Sequence, residues 1–204
     1  MKKKLFSIIL ASILVISLVG CNNSTNSTSS AKSAKPEDAV EVFLKNTENL
    51  DFNEMSKDIN PDSKDTLDEL KDMESDDTSL MEYFRKNAPK MTYEIKDSKV
   101  DGDNATVTVD FEYIDGTYAF EDASSKLVEE VLNQAEDEKE MTDDETQTFF
   151  SDAVNKYESE DIFTKKTIEI DCIKKGDKWY VKDINDDLYN VITCNYQSYF
   201  DSIE

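Results

Sequence analysis

Three cysteines are the only thiols in a chain of 204 residues that has no histidine. Cys172 and Cys194 could pair in an oxidising compartment, closing a loop of about 22 residues and contributing roughly 3 kcal/mol. The alternative is two separate buried thiols packing as small hydrophobes. Cys172 shares the alternation of Ile168 and Ile170, which directs it inward. The absence of histidine removes imidazole bases, His-dependent triads and HExxH zinc sites. No GxSxG, Walker A, GxGxxG or CxxC pattern replaces them, so no catalytic residue is assigned and a non-enzyme is expected.

The 46 acidic residues suggest a cation site. Asp183, Asn185 and Asp187 match the first ligands of an EF-hand loop, but Leu188 stands where glycine must turn the chain and Cys194 where a bidentate glutamate belongs. Asp101 and Asp103 with Glu112 fit in part, and Ala105 and Thr106 break that loop. At this acid content partial matches arise by chance. The expectation is a solvated acidic face, with no metal site and no cofactor. Trp179 and Tyr180 are weak candidates for lining a ligand pocket; as strand neighbours they face opposite ways, and one belongs in the core.

With 23 Lys and Arg against those acids, the net charge is −23 and the mean hydropathy −0.65. Phosphate backbones repel such a polyanion, so nucleic acid is excluded as a partner. Ten Phe, nine Tyr and one Trp supply a core despite the charge.

Lys2, Lys3 and Lys4 precede an uncharged run from Leu5 to Val19. As a helix this run reaches about 22 Å, short of the roughly 30 Å hydrocarbon core, which suits a cleavable segment better than a permanent span. It ends at Leu18-Val19-Gly20-Cys21, which resembles the lipobox of bacterial lipoproteins. The resemblance implies cleavage after Gly20, a diacylglyceryl thioether on Cys21, and anchorage on the extracytoplasmic face of the cell membrane. Two acyl chains hold firmly, since each buried CH₂ contributes about 0.8 kcal/mol. Residues 1–20 are thus expected to be a signal peptide. Residues 21–35, rich in Asn, Ser and Thr, are expected to be a flexible tether reaching about 20 Å. Cleavage removes three lysines and no acid, so the mature chain becomes more acidic still.

Residues 36–204 suit one acidic domain. Pro36 with Glu37 and Asp38 opens a helix whose face is Ala39, Val40, Phe43, Leu44 and Thr47. Shorter helices are expected around Phe52–Ile59, Thr66–Met73 and Ser79–Asn87. The period then changes to two: Met91, Tyr93 and Ile95, then Ala105 to Tyr113 after the turn at Asp101-Gly102, with pairing expected to continue through Tyr118 and Phe120. Leu127, Val128, Val131, Leu132 and Ala135 form a helical stripe. Thr142 and Glu145 are spaced as a capping box before Phe149, Phe150, Ala153, Val154 and Tyr157. Strands return at Thr167–Ile173 and Lys178–Ile184, and Leu188 to Phe200 keeps a helical period to near the end. The pattern predicts an α+β domain: N-terminal helices on a curved, cone-like antiparallel sheet, with a helical pair inserted between strands.

The amphipathic first helix, the hairpin Val100-Asp101-Gly102-Asp103-Asn104-Ala105-Thr106-Val107 and the late Ile173-Lys174-Lys175-Gly176-Asp177-Lys178-Trp179-Tyr180-Val181 resemble small Gram-positive cell-surface lipoproteins of the domain-of-unknown-function kind. That resemblance implies a cystatin-like or nuclear-transport-factor-2-like fold and a surface location, but no reaction. The function expected is a non-catalytic binding or interaction module for a protein, peptide or envelope component, held to the membrane through lipidated Cys21. The alternative is a small-ligand carrier using the interior of the cone. A two-lobed importer receptor is disfavoured, because residues 36–204 show no βαβ alternation. Mass spectrometry of the mature chain should find an N-terminal, diacylglyceryl-modified Cys21, and Cys21→Ala should leave the membrane fraction; an unmodified N-terminus elsewhere would refute the anchor.

Overall fold

The computed structural model describes residues 34–76, 78–136, 140–157 and 161–203. The expected signal peptide, Cys21 and the expected tether as far as residue 33 lie outside the described residues. Helix α1 (Pro36–Thr47) starts where Lys35 is extended and Pro36, having no N–H to leave unbonded, takes the first helical position. The Lys35 backbone N–H donates to Asp38 Oδ2 at 3.2 Å. Ala39, Val40, Phe43 and Leu44 are fully buried, and with them α1 lies across all four strands of the sheet. α2 (Phe52–Asp58) is capped by Asp51, which accepts from Glu54 N–H at 3.0 Å. Pro61 ends this unit, and α3 (Asp65–Asp76) and α4 (Thr78–Asn87) follow.

The sheet is antiparallel throughout, in the order β1 (Thr92–Asp101), β2 (Asn104–Ile114), β3 (Phe163–Lys175), β4 (Lys178–Val181). Both hairpin turns place glycine in the left-handed region, Gly102 at φ 61° and Gly176 at φ 62°. Along β2, Ala105, Val107, Val109, Phe111 and Tyr113 are buried. The alternating residues carry a polar ladder on the opposite face, including Thr167 Oγ1 to Asp110 at 2.6 Å and Lys165 to Glu112 at 3.3 Å. Period-two alternation therefore sorts the faces, and the helices cover the apolar one. Tyr93 and Ile95 of β1 are only half-buried, and a register shift between Ile95 and Asp97 bends that edge.

Two expectations are corrected. Pairing does not continue through Tyr118 and Phe120, which belong instead to α5 (Thr117–Glu136). Asp115 Oδ1 accepts from Thr117 N–H at 3.1 Å and from its hydroxyl at 2.6 Å, starting a helix that buries Ala119, Phe120 and Ala123. Two alternating aromatics imitated a strand, while the deciding spacing was three and four residues. The C-terminal segment is likewise two helices, α7 (Asp186–Ile192) and α8 (Tyr196–Asp201), broken by Cys194 at φ 56° and Asn195 at φ 67°. The inserted pair of helices between strands is present as α5 and α6 (Asp143–Asn155). Thr142 and Glu145 form the anticipated capping box at the start of α6.

Phe111 is 2% exposed in the middle of the sheet, whereas Thr108 lies half-exposed on the other face. Phe111→Ala should cost about 3–5 kcal/mol and Thr108→Ala far less. Denaturant midpoints test this, and equal shifts would contradict the register.

Candidate functional site

Thiol chemistry is closed off by burial. Cys172, on β3, and Cys194, after α7, are both free and buried. Cys172 pairs across the sheet with Ala105 at the start of β2, while Cys194 O accepts from Gly116 N–H at 2.9 Å just past its end. The length of β2, on the order of 30 Å, separates the two locations, far beyond the reach of a disulfide. Of the two arrangements open from the sequence, the molecule has two separate buried thiols. Burial pushes each up to about 12, with Asp171 adding to the effect on Cys172 and Asp115 on Cys194. Neither is a thiolate near neutrality, so neither is a ready nucleophile.

The residues resembling a calcium loop serve local structure. Asn185 caps α7, its Oδ1 accepting from Leu188 N–H at 2.9 Å, and Asp187 receives Lys166 at 2.6 Å. Among the described residues, no group of three or more acidic or thiol side chains converges to hold a metal ion. The aromatic pair of β4 also divides as its alternation requires. Trp179 is 4% exposed within the core, while Tyr180 is half-buried on the other side, with Lys178 Nζ 4.6 Å from its ring centroid. Neither lines the grooves described next.

Those grooves lie beside α8, and the break before it creates them. Cys194 and Asn195 turn the chain, Asn195 Oδ1 accepts from Tyr113 OH at 2.8 Å, and Tyr196 and Phe200 project together with ring centroids 4.9 Å apart. Tyr196 packs edge-on against Phe84 and Phe120, and Phe200 against Phe150. Tyr199 OH donates to Ser124 at 2.7 Å or accepts from it, tying α8 to α5. This ridge separates two open grooves of about 350 Å³ each. One is floored by Met73, Leu80, Leu127 and Phe150 and edged by Asp143 and Gln147. The other runs along Ile184 and Tyr189 and is edged by Glu69, Asp186 and Asp201. Among the described residues, no lysine or arginine lines either groove.

The apolar floor continues along α5. Leu127 is half-buried, and one turn on, Val131 is 43% exposed, with Val128 at 59% and Leu132 at 63%. The stripe read from the sequence is thus correct in its period, but among its members only Leu127 packs against the core. The rest of the stripe faces solvent with apolar side chains. By contrast, the crevice between Tyr83 and Tyr157 measures only about 50 Å³, room for little more than water. Tyr196, Phe200 and the acidic rim carried no separate signal in the sequence, where they read as one face of a terminal helix. Among the described residues no helix is long and apolar enough to cross a membrane.

Burial also pushes the phenols of Tyr113 and Tyr189 up to about 12. Below about pH 7.5 the thiols and phenols are protonated in both folded and unfolded chains. Above it the unfolded chain releases first thiol and then phenol protons that the folded chain keeps, so stability should fall as pH rises from about 8 to about 12. Urea midpoints across that range test this, and a flat profile would show these groups to be hydrated in the native state. In comparisons with known proteins, no family model, no curated protein and no solved structure matches this chain.

Proposed function

We propose that this chain is a non-catalytic interaction module, lipid-anchored through Cys21 on the extracytoplasmic face of the membrane, which engages a partner along the trough between α3, α5, α6 and α8. The observation that carries it is the apolar seam of Leu127, Val128, Val131 and Leu132, which leaves the core and continues into solvent beside the groove floored by Phe150 and Phe200. In a chain of mean hydropathy −0.65, side chains this apolar are expected to be inside. A contiguous exposed run of them marks a surface that is covered when the protein works. The buried, protonated thiols support a role without nucleophilic chemistry.

The anchor rests on the charged start, the short apolar run and Leu18-Val19-Gly20-Cys21. The resemblance to small Gram-positive surface lipoproteins supports the same location. The carrier alternative needs an empty interior. Phe43, Leu44, Phe84, Phe111 and Phe120 occupy the space between helices and sheet with at most 2% of their surface exposed. Open grooves favour a partner laid on the surface over a ligand enclosed within.

A photo-crosslinking side chain placed at Leu132 in the membrane-borne chain should yield a discrete adduct in the native envelope. The same group at Thr106, on the polar face of the sheet, should not. Indistinguishable adduct patterns from the two positions would overturn the assignment of this face.

A further inference from the structure

An apolar floor would accept any apolar segment; the rim is what selects. Glu69, Asp143, Asp186 and Asp201 edge the two grooves, and none of the four is ion-paired among the described residues, although lysines neutralise acids elsewhere on the surface. The smaller crevice and the cleft near Tyr113 are both lined by lysine, whereas no described lysine or arginine lines this trough. Other occupants meet repulsion. A second copy carries the same strong negative charge, and an anionic lipid surface is likewise negative. The track is also long: two grooves meeting at the Tyr196–Phe200 ridge, with Val131 and Leu132 exposed farther along α5, suit a peptide of several turns.

Resting on the interaction-module reading above, we infer that the trough binds a cationic amphipathic peptide segment. Its apolar side chains lie on Leu127, Phe150 and Phe200, and its Lys or Arg side chains reach the four rim carboxylates. Apolar burial supplies the holding, and the carboxylates supply selection and faster capture of basic partners.

The test uses the full chain in nanodiscs of zwitterionic lipid, with empty nanodiscs as background. Two labelled synthetic peptides share length and leucine positions at helical spacing, one carrying lysine and the other glutamine at the remaining positions. Fluorescence anisotropy should show the leucine–lysine peptide binding at least about tenfold tighter, since several weak pairs act together. Its affinity should fall as salt shortens the screening length from about 10 Å to about 3 Å. Combined Glu69→Gln, Asp143→Asn, Asp186→Asn and Asp201→Asn should weaken it roughly tenfold. A charge-matched control, Asp97→Asn, Asp101→Asn, Asp103→Asn and Glu169→Gln, changes exposed acids away from the grooves and should leave affinity within about twofold if long-range charge contributes little. Leu127→Asn should weaken both peptides.

Equal losses from the two neutralised variants would overturn the inference in favour of diffuse attraction to the whole polyanion. Equal affinity of both peptides, abolished by Leu127→Asn, would overturn the charge selection while leaving the trough as a docking site. Failure of both peptides to bind would overturn the inference outright, and the Leu132 crosslink then decides separately whether the face has a partner of other chemistry.

Discussion

The left-handed pair Cys194–Asn195, clamped to the end of β2, is the constraint on which the grooved half of this molecule depends. A helical segment left to itself would run on from α7, because Leu188, Ile192, Tyr196 and Tyr199 keep one face. Two non-glycine residues at positive φ, 56° and 67°, are instead held there. Such conformations persist only where the surroundings over-determine them. Here the surroundings are Tyr113 OH on Asn195 Oδ1 and Gly116 N–H on Cys194 O, both from the chain leaving the central strand. Gly116 has no side chain for a reason: a Cβ there would lie 2.8 Å from Cys194 O and from the Phe120 ring. The close approach of the two segments, more than its own dihedral angles, demands glycine.

That clamp sets the aromatic architecture. Once α8 departs at a new angle, Tyr196 fits between Phe84 and Phe120, and Phe200 against Phe150, so three helices, α4, α5 and α6, converge on the rings of one short segment. Edge-to-face contacts of this kind add direction to apolar burial. Polar pins complete the assembly: Ser79 to Asp152 at 2.7 Å joins α4 to α6, and Tyr199 to Ser124 joins α8 to α5. The opposite end of the sheet is held differently. Asp58, 8% exposed, is satisfied by Lys178 and by Asn46, both at 3.1 Å, beneath the buried Trp179. A buried charge with two partners is tolerable where an unpaired one would not be.

Charge and apolar surface divide the remaining work. The polar face of the sheet is a lattice of cross-strand pairs that neutralise one another, whereas the trough is edged by acids without lysines. A strongly acidic chain gains solubility and repels its own copies, but that repulsion opposes compactness. Leaving Val128, Val131 and Leu132 in solvent is tolerable in such a chain because like charge keeps exposed apolar seams from meeting each other.

The sequence by itself determined which segments are helix or strand wherever one period ran unopposed. The alternation from Ala105 to Tyr113, the Pro36 helix start, the Thr142–Glu145 cap and the glycine turns are local chemistry, and the α+β class with its inserted helical pair followed from them. It determined the candidate lipid anchor at Cys21 in the same way, from contiguous residues. The tertiary structure decided what local period leaves ambiguous. Tyr118 and Phe120 alternate like strand residues, yet Asp115 caps a helix there because its inner face finds Tyr83 and Tyr196 to pack against. The separation of Cys172 from Cys194 depends on strand register, which no spacing reveals. The grooves themselves were illegible for the same reason. An amphipathic stripe states that one face avoids water, but not whether its own core, or another chain, is what covers it.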